Sequence, residues 1–187
     1  MKTEKAVTLV FLIGLVFKFM HWPGGGVFIV ISLSTIGVLY FPMAFYFFCD
    51  KEIKKQNIAL SIVSGLFLCL IPIGILFKLQ YWPGGKIEYL LGMFSAPVIW
   101  VIAYYLKSKS SDELKTYYKN LLTRTTVVFI FGTVFYIIPM TTLIEIQYRY
   151  DPELARLKTL SYTHPGNQEY RQQLDDYVMK QDSLRIK

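Results

Sequence analysis

Two stretches of this 187-residue chain repeat one another. Gly14-Leu15-Val16-Phe17-Lys18-Phe19-Met20-His21-Trp22-Pro23-Gly24-Gly25 returns 60 residues later as Gly74-Ile75-Leu76-Phe77-Lys78-Leu79-Gln80-Tyr81-Trp82-Pro83-Gly84-Gly85. Seven of the 13 aligned positions from Gly14/Gly74 to Gly26/Lys86 are identical, and the identities cluster around a rare residue, tryptophan. Each copy closes one apolar stretch and opens the next, so the chain is constrained to two similar hairpins with almost loop-less corners. Proline fixes its own φ and disfavours the α region at the residue before it, so Trp22 and Trp82 should leave the helix ahead of Pro23 and Pro83. The glycines Gly24, Gly25, Gly84 and Gly85 then allow backbone angles closed to other residues. Tryptophan prefers the headgroup level of a bilayer, which places these corners at a membrane interface.

Composition supports the membrane. The chain is 53% hydrophobic and 17% aromatic, and its apolar runs cover roughly residues 6–20, 27–49, 58–79, 87–106 and 125–144. A crossing needs about 17 to 25 residues, so the expected fold is an all-α integral membrane protein with five transmembrane helices and a short amphipathic C-terminal tail. The first run follows Lys2 and Lys5 as a secretory leader would. It then meets Lys18, His21 and Trp22 instead of a small-residue cleavage site, and so reads as a retained helix. Cys49 and Cys69 fall in or beside apolar runs and read as packing residues rather than a disulfide or a site.

A net charge of +7 does not imply nucleic acid, because the charges flank the apolar runs. Lysines are concentrated at the N-terminus (Lys2, Lys5), in the second connection (Lys51, Lys54, Lys55) and in the fourth (Lys107, Lys109, Lys115, Lys119). That bias places the N-terminus in the cytoplasm and, with an odd number of crossings, the tail on the periplasmic side of a bacterial inner membrane. Both hairpins then start from the same side, as a parallel repeat.

The organisation that follows is a first hairpin at 1–49, a second at 50–106, an interfacial segment with the fifth span at 107–147, and a soluble helical tail at 148–187. Ser108 to Asn120 reads as a short interfacial helix capped by Ser110 or Ser111, with Leu114, Tyr117 and Tyr118 on one face. Pro42, Pro72, Pro97 and Pro139 lie inside apolar runs, where each would free a carbonyl and favour a kink. In the tail, Asp151-Pro152-Glu153 is a helix start and Tyr162 to Asn167 a break. Tyr170, Leu174, Tyr177 and Val178 then form an amphipathic stripe, a docking face on a segment too small to hold its own core.

No phosphate-binding loop, zinc-protease, CxxC, GxSxG or dinucleotide motif is present, and no metal or cofactor is expected. His21 and His164 are the two histidines, and Tyr81 replaces His21 in the second copy, which suits a polar aromatic role at an interface better than a duplicated ligand. The residues that carry information are the ionisable ones at membrane depth: Lys18, Lys78, Glu88 and Glu145, with His21 beside them and Arg124 at the margin, at the entrance of the fifth run. Such groups are costly unless paired, snorkelled or in a wet pathway. They read as interfacial anchors and ion pairs, or as a proton or cation path. A polar cavity lined by Glu145, Thr133, Thr141 or Thr142 would favour transport or sensing, and a dry bundle scaffolding.

At Phe17-Lys18-Phe19-Met20-His21-Trp22-Pro23-Gly24 the chain resembles short membrane proteins of the Bacteroidota in which a Phe-Lys-x-x-His element closes the first helix, the GldL subunits of the gliding-motility and type 9 secretion motor. The resemblance implies two helices around a partner's single span, proton-driven rotation, and Lys18 and His21 as the matching lysine and histidine. The family's glutamate in the second helix has no counterpart between Val27 and Cys49, and this chain doubles the hairpin and adds a fifth span. The function expected is a non-enzymatic inner-membrane subunit that packs or scaffolds a membrane complex, in contact with lipid and with a protein partner or further copies of itself. The alternatives are an ion-coupled motor or channel subunit, or a small transporter or sensor.

Overall fold

Each corner is built as a Schellman helix stop, and this motif organises the rest of the fold. In the computed structural model, which describes residues 2–48, 56–82 and 84–185, helix α1 (Lys2–Phe19) and helix α2 (Gly25–Phe48) meet at the first corner. Helix α4 (Leu70–Leu79) and helix α5 (Lys86–Lys109) meet at the second. At the first, the Trp22 amide donates to the Phe17 carbonyl at 2.8 Å and the His21 amide to the Lys18 carbonyl at 3.3 Å. At the second, Trp82 donates to Phe77 at 2.9 Å and Tyr81 to Lys78 at 3.3 Å. This is the pair of bonds that satisfies the last carbonyls of a helix when the residue after it turns left-handed.

The left-handed residue is not a glycine. His21 has φ 59° and Tyr81 φ 58°, so the chain leaves the helix one residue before each tryptophan. The accompanying hydrophobic contact is aromatic: Phe17 meets Trp22 edge-on at 5.1 Å between ring centres, and Phe77 meets Trp82 at 5.5 Å. Each such pair contributes about 0.5–1.5 kcal/mol beyond its buried area, which sets Phe and Trp at fixed spacing. The glycines divide the remaining work. Gly24 and Gly84 take φ 88° and 99°, whereas Gly25 and Gly85 are needed for space. A Cβ on Gly25 would lie 2.5 Å from the Lys18 nitrogen, and one on Gly85 would collide equally with Phe77. Pro83 lies outside the described residues, as do Cys49, Lys51, Lys54 and Lys55.

The apolar run at 58–79 is not one smooth helix. Helix α3 (Ile58–Leu68) stops at Cys69 and α4 resumes at Leu70, because Pro72 has no N–H for the Leu68 carbonyl. Cys69 is buried and free, with its thiol directed at the Leu66 carbonyl. Pro97, by contrast, lies inside an uninterrupted α5. The fifth run differs from expectation at both ends. Helix α6 (Asp112–Ile137) begins well before residue 125, so residues 112–120 are its first turns and not a separate interfacial helix. It ends at Ile137, and helix α7 (Met140–Gln147) starts after Pro139, which the following turn uses as its first residue outside the helix. Tyr117 and Tyr118 are fully buried rather than lipid-facing, because their hydroxyls find partners inside the bundle.

The chain divides into two compact units, Met1–Ile137 and Ile138–Lys187, and the described residues are helical throughout both, without strands. In the first unit α2 packs on α1, α3 and α4, and α5 packs on α3, α4 and α6. The two corner hairpins repeat a close approach: Gly14 lies against Ile29 on α2, and Gly74 lies against the equivalent Tyr89 on α5. Three segments among the described residues are long and apolar enough to cross a membrane: Ile58–Leu79, α5 and α6. The first of these is the most buried, so α3 and α4 form the centre of the bundle. Large apolar side chains such as Phe94, Val98 and Val101 on α5, and Ile130 and Val134 on α6, stand on the outside. A helix apolar on its outer face as well as its inner one is what a hydrocarbon surround selects.

The second unit holds α7, helix α8 (Pro152–Thr163) and helix α9 (Gln168–Arg185). Asp151 caps α8 through the Leu154 amide at 3.0 Å, with Pro152 in the first turn. The stripe on α9 is turned in part onto α8: Tyr170, Leu174 and Tyr177 are half-buried, and Val178 is exposed. The Tyr177 hydroxyl donates to Asp151 at 2.9 Å, which closes α8 and α9 into an antiparallel hairpin.

Candidate functional site

The polar groups of the first unit gather at its two ends. At the corner end, Lys18 is buried and its ammonium stands 5.2 Å from the centre of the Tyr81 ring, joining the lysine of the first copy to the left-handed residue of the second. The Gln80 amide donates to the Gly26 carbonyl at 3.0 Å, a second link between the corners. Lys78 does something else. Its ammonium donates to the Phe135 carbonyl at 2.5 Å and the Tyr136 carbonyl at 3.3 Å, on the last turn of α6. Phe135 is the residue whose carbonyl Pro139 would normally serve in a continuous helix, and proline has no N–H to give. The repeated lysines therefore hold different positions: one faces an aromatic ring across the repeat, and the other caps a helix outside it.

At the opposite end, Glu4 on α1 and Arg124 on α6 form a two-pronged ion pair, Nε to Oε1 at 2.9 Å and Nη2 to Oε2 at 3.0 Å. Arg124 is buried, and the Tyr40 hydroxyl of α2 also hydrogen-bonds to the Glu4 carboxylate. Phe11 and Phe135, further along the same two helices, approach to 6.1 Å between ring centres. Since both contacts advance with residue number, α1 and α6 run in the same direction. A second cluster sits on α3 and α6: the hydroxyls of Ser61 and Tyr117 lie 2.8 Å apart, and Tyr117 also donates to the Asn57 carbonyl at 3.1 Å. Asn57 reaches Tyr118 and caps α3 through the Leu60 amide.

Between the two ends the described interior is mostly apolar, with the buried hydroxyl side chains of Ser32, Ser64 and Thr125. The cavity bounded by Phe11, Leu33, Ile36, Ile75 and Phe131 measures about 90 Å³ and carries no ionisable group except the Tyr40 hydroxyl at its rim. Thr133 turns its hydroxyl back to the Phe129 carbonyl at 2.8 Å instead of lining a polar path. Glu145 belongs to the second unit, where it borders an open groove of about 420 Å³ with Tyr148, Arg149 and Arg156. Glu88 is exposed in the first turn of α5, on the favourable end of that helix dipole. His21 is half-buried, and its left-handed backbone gives it a turn-forming role. Among the described residues, no three His, Cys, Asp or Glu side chains come together as a metal site would require.

Lys18 and Lys78 are thus at the same end without converging, and Glu88 and Glu145 join neither. Glu4, Tyr40 and the Asn57 cluster were missed by sequence reasoning. Glu4 stands ahead of the apolar run among lysines, and nothing local pairs it with a residue 120 positions away. The one available signal was Arg124 at the entrance of the apolar part of α6, since a buried cation demands an anion from somewhere.

No curated protein and no solved structure matches the chain. Residues 7–60, which contain the Phe17 to His21 element, the first corner and the whole of α2, match the family model of the GldL N-terminal domain, and the first hairpin is in that sense GldL-like.

Proposed function

We propose that this chain is a non-enzymatic subunit of a bacterial inner-membrane complex, which it serves by packing against other membrane-embedded chains. In this reading the polypeptide crosses five times, the N-terminus is cytoplasmic and the second unit is periplasmic. The observation that carries it is the closed accounting of charge at membrane depth. Glu4 pairs with Arg124, Lys18 faces Tyr81 and Lys78 caps α6, while the interior cavity is small and apolar. An ion pathway needs wet, exchangeable groups in sequence across the bilayer, and these groups are held at the two ends with hydrocarbon between them. The GldL-like first hairpin supports membership of a gliding or secretion assembly.

The ion-coupled alternative rests on Lys18 and His21, the residues that match the family's element. Reconstitution into liposomes carrying a pH-sensitive dye separates the readings. A scaffold leaves proton permeability at the lipid background and runs as part of a larger complex in mild detergent. A proton leak that Lys18→Met abolishes, with normal insertion, would overturn the scaffold reading.

A further inference from the structure

The outer face of the α5–α6 pair carries a feature that scaffolding does not require. A groove of about 350 Å³ runs between the two helices, floored by the fully buried Ala96 and Thr125 and walled by Trp100, Val101, Thr126 and Phe129. Pro97 also lines it and withholds an N–H from the Met93 carbonyl. Thr123, Thr126 and Thr133 on α6 each turn the hydroxyl back to the carbonyl four residues earlier, the usual resort of a helical threonine at membrane depth. Thr125 does not. Its hydroxyl is buried without a hydrogen-bond partner, and the residue itself lines the floor of the groove. An unmade bond at such a place is costly, and a rotation of the side chain about χ1 would let a group in the groove supply it.

The wall also has a direction. Trp100 donates through its indole nitrogen to Thr126 at 3.1 Å and lies flat on Tyr104 at 5.4 Å, so the aromatic pair lengthens the groove toward the α5–α6 connection. Two turns further on, Lys107 lies on the Trp100 face of α5 and Lys119 lies on the Thr126 face of α6. Seven residues advance a helix by about 10 Å along the same face. The acids nearby are Asp112, engaged by Lys115 at 2.7 Å, and Glu113. An apolar slot, a single hydrogen-bonding group within it and two cations about 10 Å beyond match the order of parts in a phospholipid: acyl chain, ester carbonyl, phosphate.

We propose that the α5–α6 groove is a binding site for an anionic phospholipid. One acyl chain lies along Ala96, Pro97, Val101 and Phe129, the Thr125 hydroxyl donates to the ester carbonyl, and Lys107 and Lys119 receive the headgroup. The occupant is a lipid and not a partner's helix because the polar group and the cations are spaced along the groove in headgroup order, on the side where the connection carries Lys109 and Lys115 as well.

Trp100 reports on the site directly. With Trp22→Phe and Trp82→Phe, which keep an aromatic ring against Phe17 and Phe77, it is the remaining tryptophan of the chain. The protein is reconstituted in nanodiscs containing graded mole fractions of phosphatidylglycerol or phosphatidylcholine with brominated acyl chains, and quenching of Trp100 is measured. Two lysines beside an anionic headgroup predict a preference for phosphatidylglycerol of roughly tenfold. The preference is expected to vanish in Lys107→Gln/Lys119→Gln, which leaves the slot intact. Thr125→Val should weaken both lipids roughly threefold, Thr125→Ser should not, and Val101→Phe should reduce quenching by filling the slot from its exposed side. Equal quenching by the two lipids, unchanged in the lysine variant, would overturn the proposal. So would Trp100 that is shielded from brominated lipid in native membranes by a protein chain seated on the groove.

Discussion

The Lys78 ammonium sits 2.5 Å from the Phe135 carbonyl, the oxygen left without a backbone donor by Pro139. A lysine that merely snorkelled would tolerate Met at little cost. As the cap of α6 it contributes charge-assisted bonds to a carbonyl in a low-dielectric surround, so Lys78→Met should lower stability by about 1.5–3 kcal/mol. Pro139→Ala returns an N–H to that carbonyl. Thermal unfolding in detergent of the two single variants and the double should show strong coupling, with the double less destabilised than Lys78→Met alone. Additive losses would remove the capping role.

Glu4→Gln leaves Arg124 buried against a neutral partner and should cost about 3 kcal/mol, whereas Glu4→Gln with Arg124→Met should recover much of it. Arg124→Lys is expected to behave like a loss, since one ammonium cannot reproduce the two parallel bonds to the carboxylate. The same melting assay decides this, and equal stability of the single and double variants would count against a buried pair.

His21 and Tyr81 share a left-handed backbone that glycine adopts without strain. His21→Gly should therefore relieve about 1 kcal/mol of backbone strain, against the loss of the contacts that the imidazole makes. Tyr81→Gly gains the same relief but removes the ring facing Lys18, worth about 1–2 kcal/mol where desolvated, and should come out neutral or destabilised. Paired unfolding measurements should show Tyr81→Gly to be the more costly of the two.

The tail hairpin should be sensitive to alkali. The bond from Tyr177 to Asp151 holds the phenol above its ordinary ionisation range. A group whose folded pKa is raised adds stability that is complete below the unfolded value, near 10 for tyrosine, and is lost as pH rises through the folded one. Hydrogen exchange at α8 and α9 should quicken above about pH 10 in the native chain. Tyr177→Phe should show the faster exchange already at neutral pH, and with no further step in that range.

The corners were legible because their chemistry is local. Phe, Trp and the Gly pair sit at fixed spacing, and proline at a helix end reads the same way wherever it occurs. The glycine reading held at Gly24 and Gly84, which take positive φ, and was incomplete at Gly25 and Gly85, since only packing against Lys18 and Phe77 tells which glycine is required for space. The end of α6 at Ile137 was equally readable in Pro139. Hydropathy concealed it, since the apolar run continues past the break through Met140 and Leu143. Tyr117 looked interfacial for a similar reason. An amphipathic aromatic suits the headgroup level or a buried hydroxyl partner, and Ser61, 56 positions away, is invisible to local pattern.

The helix cap supplied by Lys78 also limits how this protein can be taken apart. The two hairpins look like a duplicated module that would survive excision, yet the second copy keeps its lysine hydrogen-bonded to carbonyls that lie beyond the repeat. A fragment ending near residue 110 would expose that ammonium to hydrocarbon, while one ending near 50 would lack the Tyr81 that Lys18 faces. Neither hairpin is self-sufficient, and later segments are part of what makes the earlier ones insertable.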